Sequence, residues 1–253
     1  MKLMVAIKRV LDYQLQPAIS VDGQALCLEN LKMAMNPFDE VALEQALRWR
    51  EAGLVSEVLA VTCGAAGCDD VLRSALAMGA DRALRVDTDV ALQPLGVARL
   101  LKSVAQREAV HLVLLGKQAS DDDAHQTGQM LAAMLGWPQA TCVSVAELQG
   151  DELLVTREIE GGQEQLALSL PAVITADLRL AAARFVSLPG LMRARRQPLA
   201  LLSASELADD FEPRLQTLGY TRPAARPVGE RLFSVQALVE RLRSRNLLDG
   251  EGA

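Results

Sequence analysis

Along the first 140 or so residues, short unbroken aliphatic runs alternate with longer stretches whose apolar positions recur every three or four places. The short runs, 2–7, 57–62, 83–86 and 111–115, read as strands. The longer ones read as helices over 38–51, 69–78, 94–106 and 126–135, the first with Val41, Leu43, Ala46, Leu47 and Trp49 as its apolar positions. Strands that are apolar throughout are covered on both faces, and helices between parallel strands supply the cover. The pattern therefore predicts an α/β fold: a mostly parallel sheet flanked by helices.

After Trp137-Pro138 the period changes from three or four to two. Segments 143–148 and 152–158 flank Gly150-Asp151, and 163–169 follows Gly161-Gly162, which predicts a small antiparallel meander with tight turns. Residues 170–176 return to a buried apolar strand. From about Leu188 the chain reads as irregular and rich in Pro and Arg, through Pro213, Pro223 and Pro227. Residues 233–247 carry Val235, Leu238, Val239 and Leu242 at helical spacing, so an amphipathic helix is expected at the end of a tether, docked on something. The expected organisation is an α/β domain over 1–200 and a C-terminal arm over 201–253.

Composition narrows the function classes. Half of the 253 residues are apolar but only 3% are aromatic, so the core should be aliphatic. A net charge of −6 argues against a general nucleic-acid binder, which needs a basic excess against phosphate. The apolar runs are far too short to cross a bilayer. Charge returns at Lys8 and Arg9 before any signal-like apolar region forms, so the first segment reads as a buried strand of a cytoplasmic protein. Cys27, Cys63, Cys68 and Cys142 include no CxxC pair, which disfavours zinc sites and disulfides and leaves free thiols.

The chemistry concentrates in HLVLLGKQASDDDAHQTGQ, residues 111–129. A buried strand ends there, Gly116 allows close backbone approach, and a polar loop leads into a helix. Ligands of parallel α/β sheets sit outside the carboxyl ends of the strands, and amides opening a helix, with the Thr127 hydroxyl, suit a phosphate. The three aspartates Asp121, Asp122 and Asp123 then point outward, cap amides or take ribose hydroxyls, and their charge favours a monophosphate over a triphosphate. The competing reading is a solvated, capped helix opening. The residues alone leave both open, because neither a Walker lysine motif nor GxGxxG is present. Cys63 follows a strand, where a core thiol is commoner than a pocket wall. His125 lacks a nucleophile signature, so no triad, no catalytic residue and no metal site is expected.

Six blocks carry a resemblance: AIKRVLDY (6–13), MNPFDE (35–40), ALAMGADRA (75–83), GKQASDDDAHQTGQ (116–129), TREIEGG (156–162) and LPAVITADLRL (170–180). In this order, over about four-fifths of the chain, they resemble electron transfer flavoprotein beta subunits. The resemblance implies a heterodimer whose alpha subunit holds most of an FAD site, while the beta subunit buries an AMP without a redox role. It places AMP contacts on Ala6, Asn36, Pro37, Phe38, Asp39 and Cys63, and on the run Gly116, Lys117, Gln118, Ala119, Ser120, Asp121, Asp122, Asp123, Ala124, His125, Gln126 and Thr127. Tyr13 matches a tyrosine near the flavin. Residues 184–196, RFVSLPGLMRARR, match a recognition loop, with Leu188 as anchor and Arg184, Phe185, Pro189, Met192 and Arg193 around it. An exposed leucine among basic residues suits transient docking.

The implied partners are the alpha subunit, a flavin dehydrogenase as electron donor and an electron transfer flavoprotein–quinone oxidoreductase as acceptor; no reaction of the chain's own, no nucleic acid and no membrane insertion are implied. The docking block departs most from the family pattern: Ala181-Ala182-Ala183-Arg184-Phe185 stands for Asn-Glu-Pro-Arg-Tyr, and Arg193, Arg195 and Arg196 for lysines. His125 and Asp39 replace a frequent Asn and Cys. A dedicated dehydrogenase is therefore expected. Alternatives are a bifurcating subunit with a second FAD in place of AMP, an ATP-cleaving relative, whose SGGxDS loop is absent after the first strand, and a redox-inactive nucleotide module.

Overall fold

The computed structural model describes residues 1–248. Strand β1 (Lys2–Ala6) is buried from Leu3 onward. An excursion follows, in which β2 (Arg9–Leu11) pairs antiparallel with β5 (Met33–Met35) around a small hairpin of β3 (Ala18–Ile19) and β4 (Leu26–Cys27). Helix α1 (Pro37–Glu51) crosses to β6 (Glu57–Gly64). A 3-10 turn at Ala66–Cys68 leads into α2 (Asp69–Met78), β7 (Arg82–Asp87) and α3 (Pro94–Arg107). Next come β8 (Leu112–Gly116) and α4 (Thr127–Leu135). The meander is β9 (Gln139–Gln149), β10 (Glu152–Ile159) and β11 (Gly162–Ser169), after which β12 (Ala172–Ala176) returns to the centre. The chain continues through α5 (Leu188–Ala194), β13 (Ala200–Ser203), α6 (Ala204–Leu207) and α7 (Val235–Ser244).

One sheet has the order β11-β10-β9-β12-β8-β1-β6-β7-β13. All its pairings are parallel except those of β10 with β9 and β11, so the antiparallel part is confined to one end. Successive strand residues point to opposite faces. On one face Leu3 and Val5 pack with Leu43, Ala46 and Leu47 of α1 and Leu72 of α2. On the other, Met4 joins Leu100, Leu101 and Val104 of α3 and Leu131 of α4. Two aliphatic layers therefore hold the carboxyl ends of β1, β6 and β8 side by side, and the site sits there.

The structure corrects the sequence reading in one stretch. Residues 188–207 hold two short helices and a strand, while 208–233 are irregular as expected: Ser187 caps α5 by accepting from the Gly190 amide at 3.2 Å, Pro189 stands in the first turn, and Gly190 and Ala194 are buried. Seven residues are too few to reveal a period, and β13 is a four-residue edge strand beside β7. The boundary expected at residue 200 falls inside β13. Helix α7 buries none of its residues, and residues 249–253 of the expected arm lie outside the described residues. No helix among the described residues is long and apolar enough to cross a membrane.

Candidate functional site

Where β1, β6 and β8 end, a cavity of about 220 Å³ opens. Ala6, Asn36, Asp39 and Cys63 line it, as do Gly116, Lys117, Gln118, Ala119, Asp122, Ala124, His125, Gln126 and Thr127. Pro37, Phe38, Ser120, Asp121 and Asp123, grouped with these in the sequence, are not part of the lining. Its remaining wall was not foreseen: Ile7, Lys8, Arg9, Val61, Thr62, Cys68 and Leu115 on the strand side, Val90, Leu92, Gln93, Pro94, Val97 and Leu101 on the α3 side. The apolar members suit a flat ring; Lys8, Arg9 and Lys117 supply positive charge.

Two buried side chains build the loop between β8 and α4. The Asp39 carboxylate accepts from the Lys8 amide at 2.8 Å and the Gly116 amide at 2.7 Å, tying the ends of adjacent strands β1 and β8. Burial pushes the Asp39 carboxyl up to about 7, against the pull of those two amides. Asn36 donates to the Gln118 carbonyl at 2.8 Å and accepts from the Ser120 amide at 3.3 Å. Gly116 is required by space: an added Cβ would stand 2.5 Å from both Asp39 Oδ1 and Phe38 Cβ. Lys117 reaches Asp177 at 2.8 Å and lies over the Phe38 ring at 5.5 Å. Asp123 and His125 both take left-handed backbone, at φ 50° and 53°, an arrangement that costs energy and is held only by the surrounding contacts.

The acidic trio does not cap the helix that follows. No side chain caps α4, whose N-cap is Gln126, so its first amides are available to a ligand. Asp121 and Asp122 instead meet Lys8 Nζ at 2.8 and 2.9 Å. Burial would lower the Lys8 pKa, but the two carboxylates outweigh it and hold the amine above its ordinary value. The Gln118 amide donates to Asp123, and His125 Nε2 lies 3.5 Å from the same carboxylate. One lysine thus offsets part of the charge that made three aspartates look wrong for an anion site. Cys63, at the cavity wall, is pushed up to about 12 by burial, so its thiol stays neutral.

The second predicted region is a surface. Leu188 is 72% exposed and Phe185 fully so, and Leu191 and Met192 extend the patch along α5, with Pro189 and Arg193 also exposed. The helix is held from beneath. A Cβ on Gly190 would approach the Ala77 carbonyl oxygen at 2.6 Å, and Arg73 of α2 donates to the Ala194 carbonyl at 2.6 Å. Arg184 is paired within the chain: its guanidinium meets Glu44 at 2.6 Å and Glu51 at 2.5 Å, both on α1. Glu44 is only 5% exposed; burial would raise its pKa, but Arg184 and Arg48 together hold it below its ordinary value. Tyr13 stands apart, 70% exposed beyond β2.

Fold and site together define an α/β protein with its cavity at the carboxyl edge of a parallel sheet, where such sheets take ligands. Residues 25–207 match the electron transfer flavoprotein domain. The chain is 46% identical over 244 residues to the electron transfer flavoprotein subunit beta of Bradyrhizobium diazoefficiens, covering 96% of this chain and 98% of the relative. The mitochondrial beta subunit of Arabidopsis thaliana is 46% identical and the Homo sapiens beta subunit 44%, covering 98% and 97% of those proteins. This chain belongs to the electron transfer flavoprotein family, on its beta-subunit side, and its setting is electron transport by a flavoprotein.

Proposed function

We propose that this chain pairs with an electron transfer flavoprotein alpha subunit, buries one AMP as a structural ligand, and forms one wall of an FAD site held chiefly by that partner. The observation that carries the AMP reading is the uncapped start of α4 facing a cavity with apolar walls and three basic residues. Amides of the first α4 turn and the Thr127 hydroxyl receive the phosphate, and the helix dipole favours its charge. Asn36 and Asp39 hold the loop in place, and Lys8 offsets part of the negative charge of Asp121 and Asp122 and holds them away from the anion. A ligand that binds only the folded chain stabilises it.

Bound FAD supplies electron exchange between a flavin dehydrogenase and the electron transfer flavoprotein–quinone oxidoreductase. This chain contributes Tyr13 near the flavin, α5 as the docking surface for the dehydrogenase, and the 201–248 arm with α7 as contacts to the alpha subunit. It has no bond-making reaction of its own. Four free thiols suit a reducing compartment such as the cytoplasm.

The test is a nucleotide census. The chain is co-expressed with its alpha subunit, purified and denatured, and the released nucleotides are identified. One FAD and one AMP per pair are expected. Two FAD and no AMP would assign the bifurcating type, and a colourless pair would remove the flavin role.

A further inference from the structure

Helix α3 has two different neighbours on two different faces. Pro94, Val97 and Leu101 line the nucleotide cavity. Gly96, Arg99 and Ser103, at the same helical spacing but on another face, hold the chain that leads into the C-terminal arm. A Cβ on Gly96 would run into the Phe211 carbonyl oxygen, so the arm backbone lies directly on the helix. Arg99 donates to the Asp210 carbonyl at 2.6 Å and pairs with the Asp210 carboxylate at 2.5 Å. Ser103 Oγ donates to the Leu207 carbonyl at 2.7 Å.

Gln93 belongs to both neighbours. It lines the cavity, and as N-cap of α3 it leaves the helix uncapped by its side chain. Its amide is spent on the arm instead: Oε1 accepts from the Arg214 amide at 2.8 Å and the Leu215 amide at 3.1 Å, and Nε2 donates to the Leu215 carbonyl at 2.7 Å. A flexible amide fixed by three bonds in one wall of a cavity orders that wall, and a ligand packed on the wall orders the amide. Beyond this point the chain is largely exposed as far as α7.

We propose that filling of the nucleotide cavity and seating of the C-terminal arm are coupled through the first turn of α3, with Gln93 as the positioning residue. The proposal rests on the AMP reading. Whichever site is occupied first has already lost the side-chain freedom that the second would otherwise have to remove, so each strengthens the other. Coupling of this kind is reciprocal at equilibrium: if the seated arm tightens AMP binding by some factor, bound AMP favours the seated arm by the same factor.

The experiment uses the co-purified heterodimer loaded with AMP. Release of AMP after rapid dilution is timed for the parent, for Gln93→Ala and for Arg99→Ala. Arg99 does not line the cavity, and its side chain is bonded to Asp210 of the arm, so an effect there reports on the arm contact. Both variants are expected to release AMP about fivefold faster or more, the low end of ordinary coupling between sites. Hydrogen exchange at the Arg214 and Leu215 amides is expected to quicken when AMP is stripped. Ser103→Ala, a smaller cut in the same contact, stands in if Arg99→Ala does not fold. A parental release rate in the arm variants, or equal exchange with and without AMP, overturns the coupling while leaving the AMP site intact. A parent pair that yields no adenylate on denaturation removes the AMP reading, and the coupling with it.

Discussion

The cavity rim and the α5 surface are built by opposite means. At the rim, polar side chains point inward and are consumed by backbone: Asn36 and Asp39 each hold two loop groups, and Lys8 holds two carboxylates. At α5 the polar work is done from behind by Arg73 and Arg184, and the outward face is left apolar and unsatisfied. The first region is therefore held by hydrogen bonds to two buried side chains, Asn36 and Asp39, and suited to a ligand that stays. The second is rigid because its base is clamped, and suited to a partner that leaves. A substitution should damage ligand retention in one and encounter in the other, rarely both.

The largest separation is expected from Gly116→Ala. Its Cβ would stand 2.5 Å from Asp39 Oδ1 and Phe38 Cβ, so adenylate retention should be lost and stability should fall by about 1–3 kcal/mol, the usual cost of overpacking. Denaturant unfolding and a nucleotide assay on the same sample check both. Next comes Leu188→Ala. At 72% exposure it should leave unfolding unchanged, yet weaken the pair's reduction by its dehydrogenase through KM by tenfold or more, or at least about 1.4 kcal/mol, if it is the anchor. An unchanged KM would remove α5 as the docking surface.

Arg184→Ala follows. It strips a buried Glu44 of one partner, so a loss of about 1–3 kcal/mol in denaturant titration is expected. Because the folded Glu44 pKa is depressed, that contribution is present above its unfolded value and disappears as pH falls through the folded one. At Asp39 the pH dependence has the opposite sign. With a folded value near 7 against 3.8 for an ordinary aspartate, the native chain keeps a proton that the unfolded chain releases. Stability from this site should fall as pH rises from about 4 toward 7. In Asp39→Asn that slope should vanish, so the urea midpoint of the parent relative to the variant should drop between pH 5 and pH 7.5; a constant difference would show that Asp39 stays ionised across this range.

The two regions also differed in how far they could be read from residues alone. Strands such as β8 announced themselves because burial on both faces forces an unbroken aliphatic run. The loop from Gly116 to Thr127 stood out because Gly, three Asp and Thr at a strand-to-helix junction are a local pattern. Lys8 did not, since its meaning lies in carboxylates 113 and 114 positions away. The pairing of Arg184 was not legible for the same reason: its partner Glu44 lies 140 positions off. The α3 wall was missed because Val90–Val97 contains no chemistry-bearing pattern, only shape. Short elements such as α5 and β13 fall below the length at which periodicity can speak.

The nature of the ligand in the cavity decides most of this, and calorimetry reads it directly. The heterodimer stripped of adenylate is titrated with AMP, ATP and FAD in turn. One AMP per pair, bound more tightly than ATP or any second FAD, is the expected result. Tighter binding of ATP, or no heat from AMP at all, would contradict it.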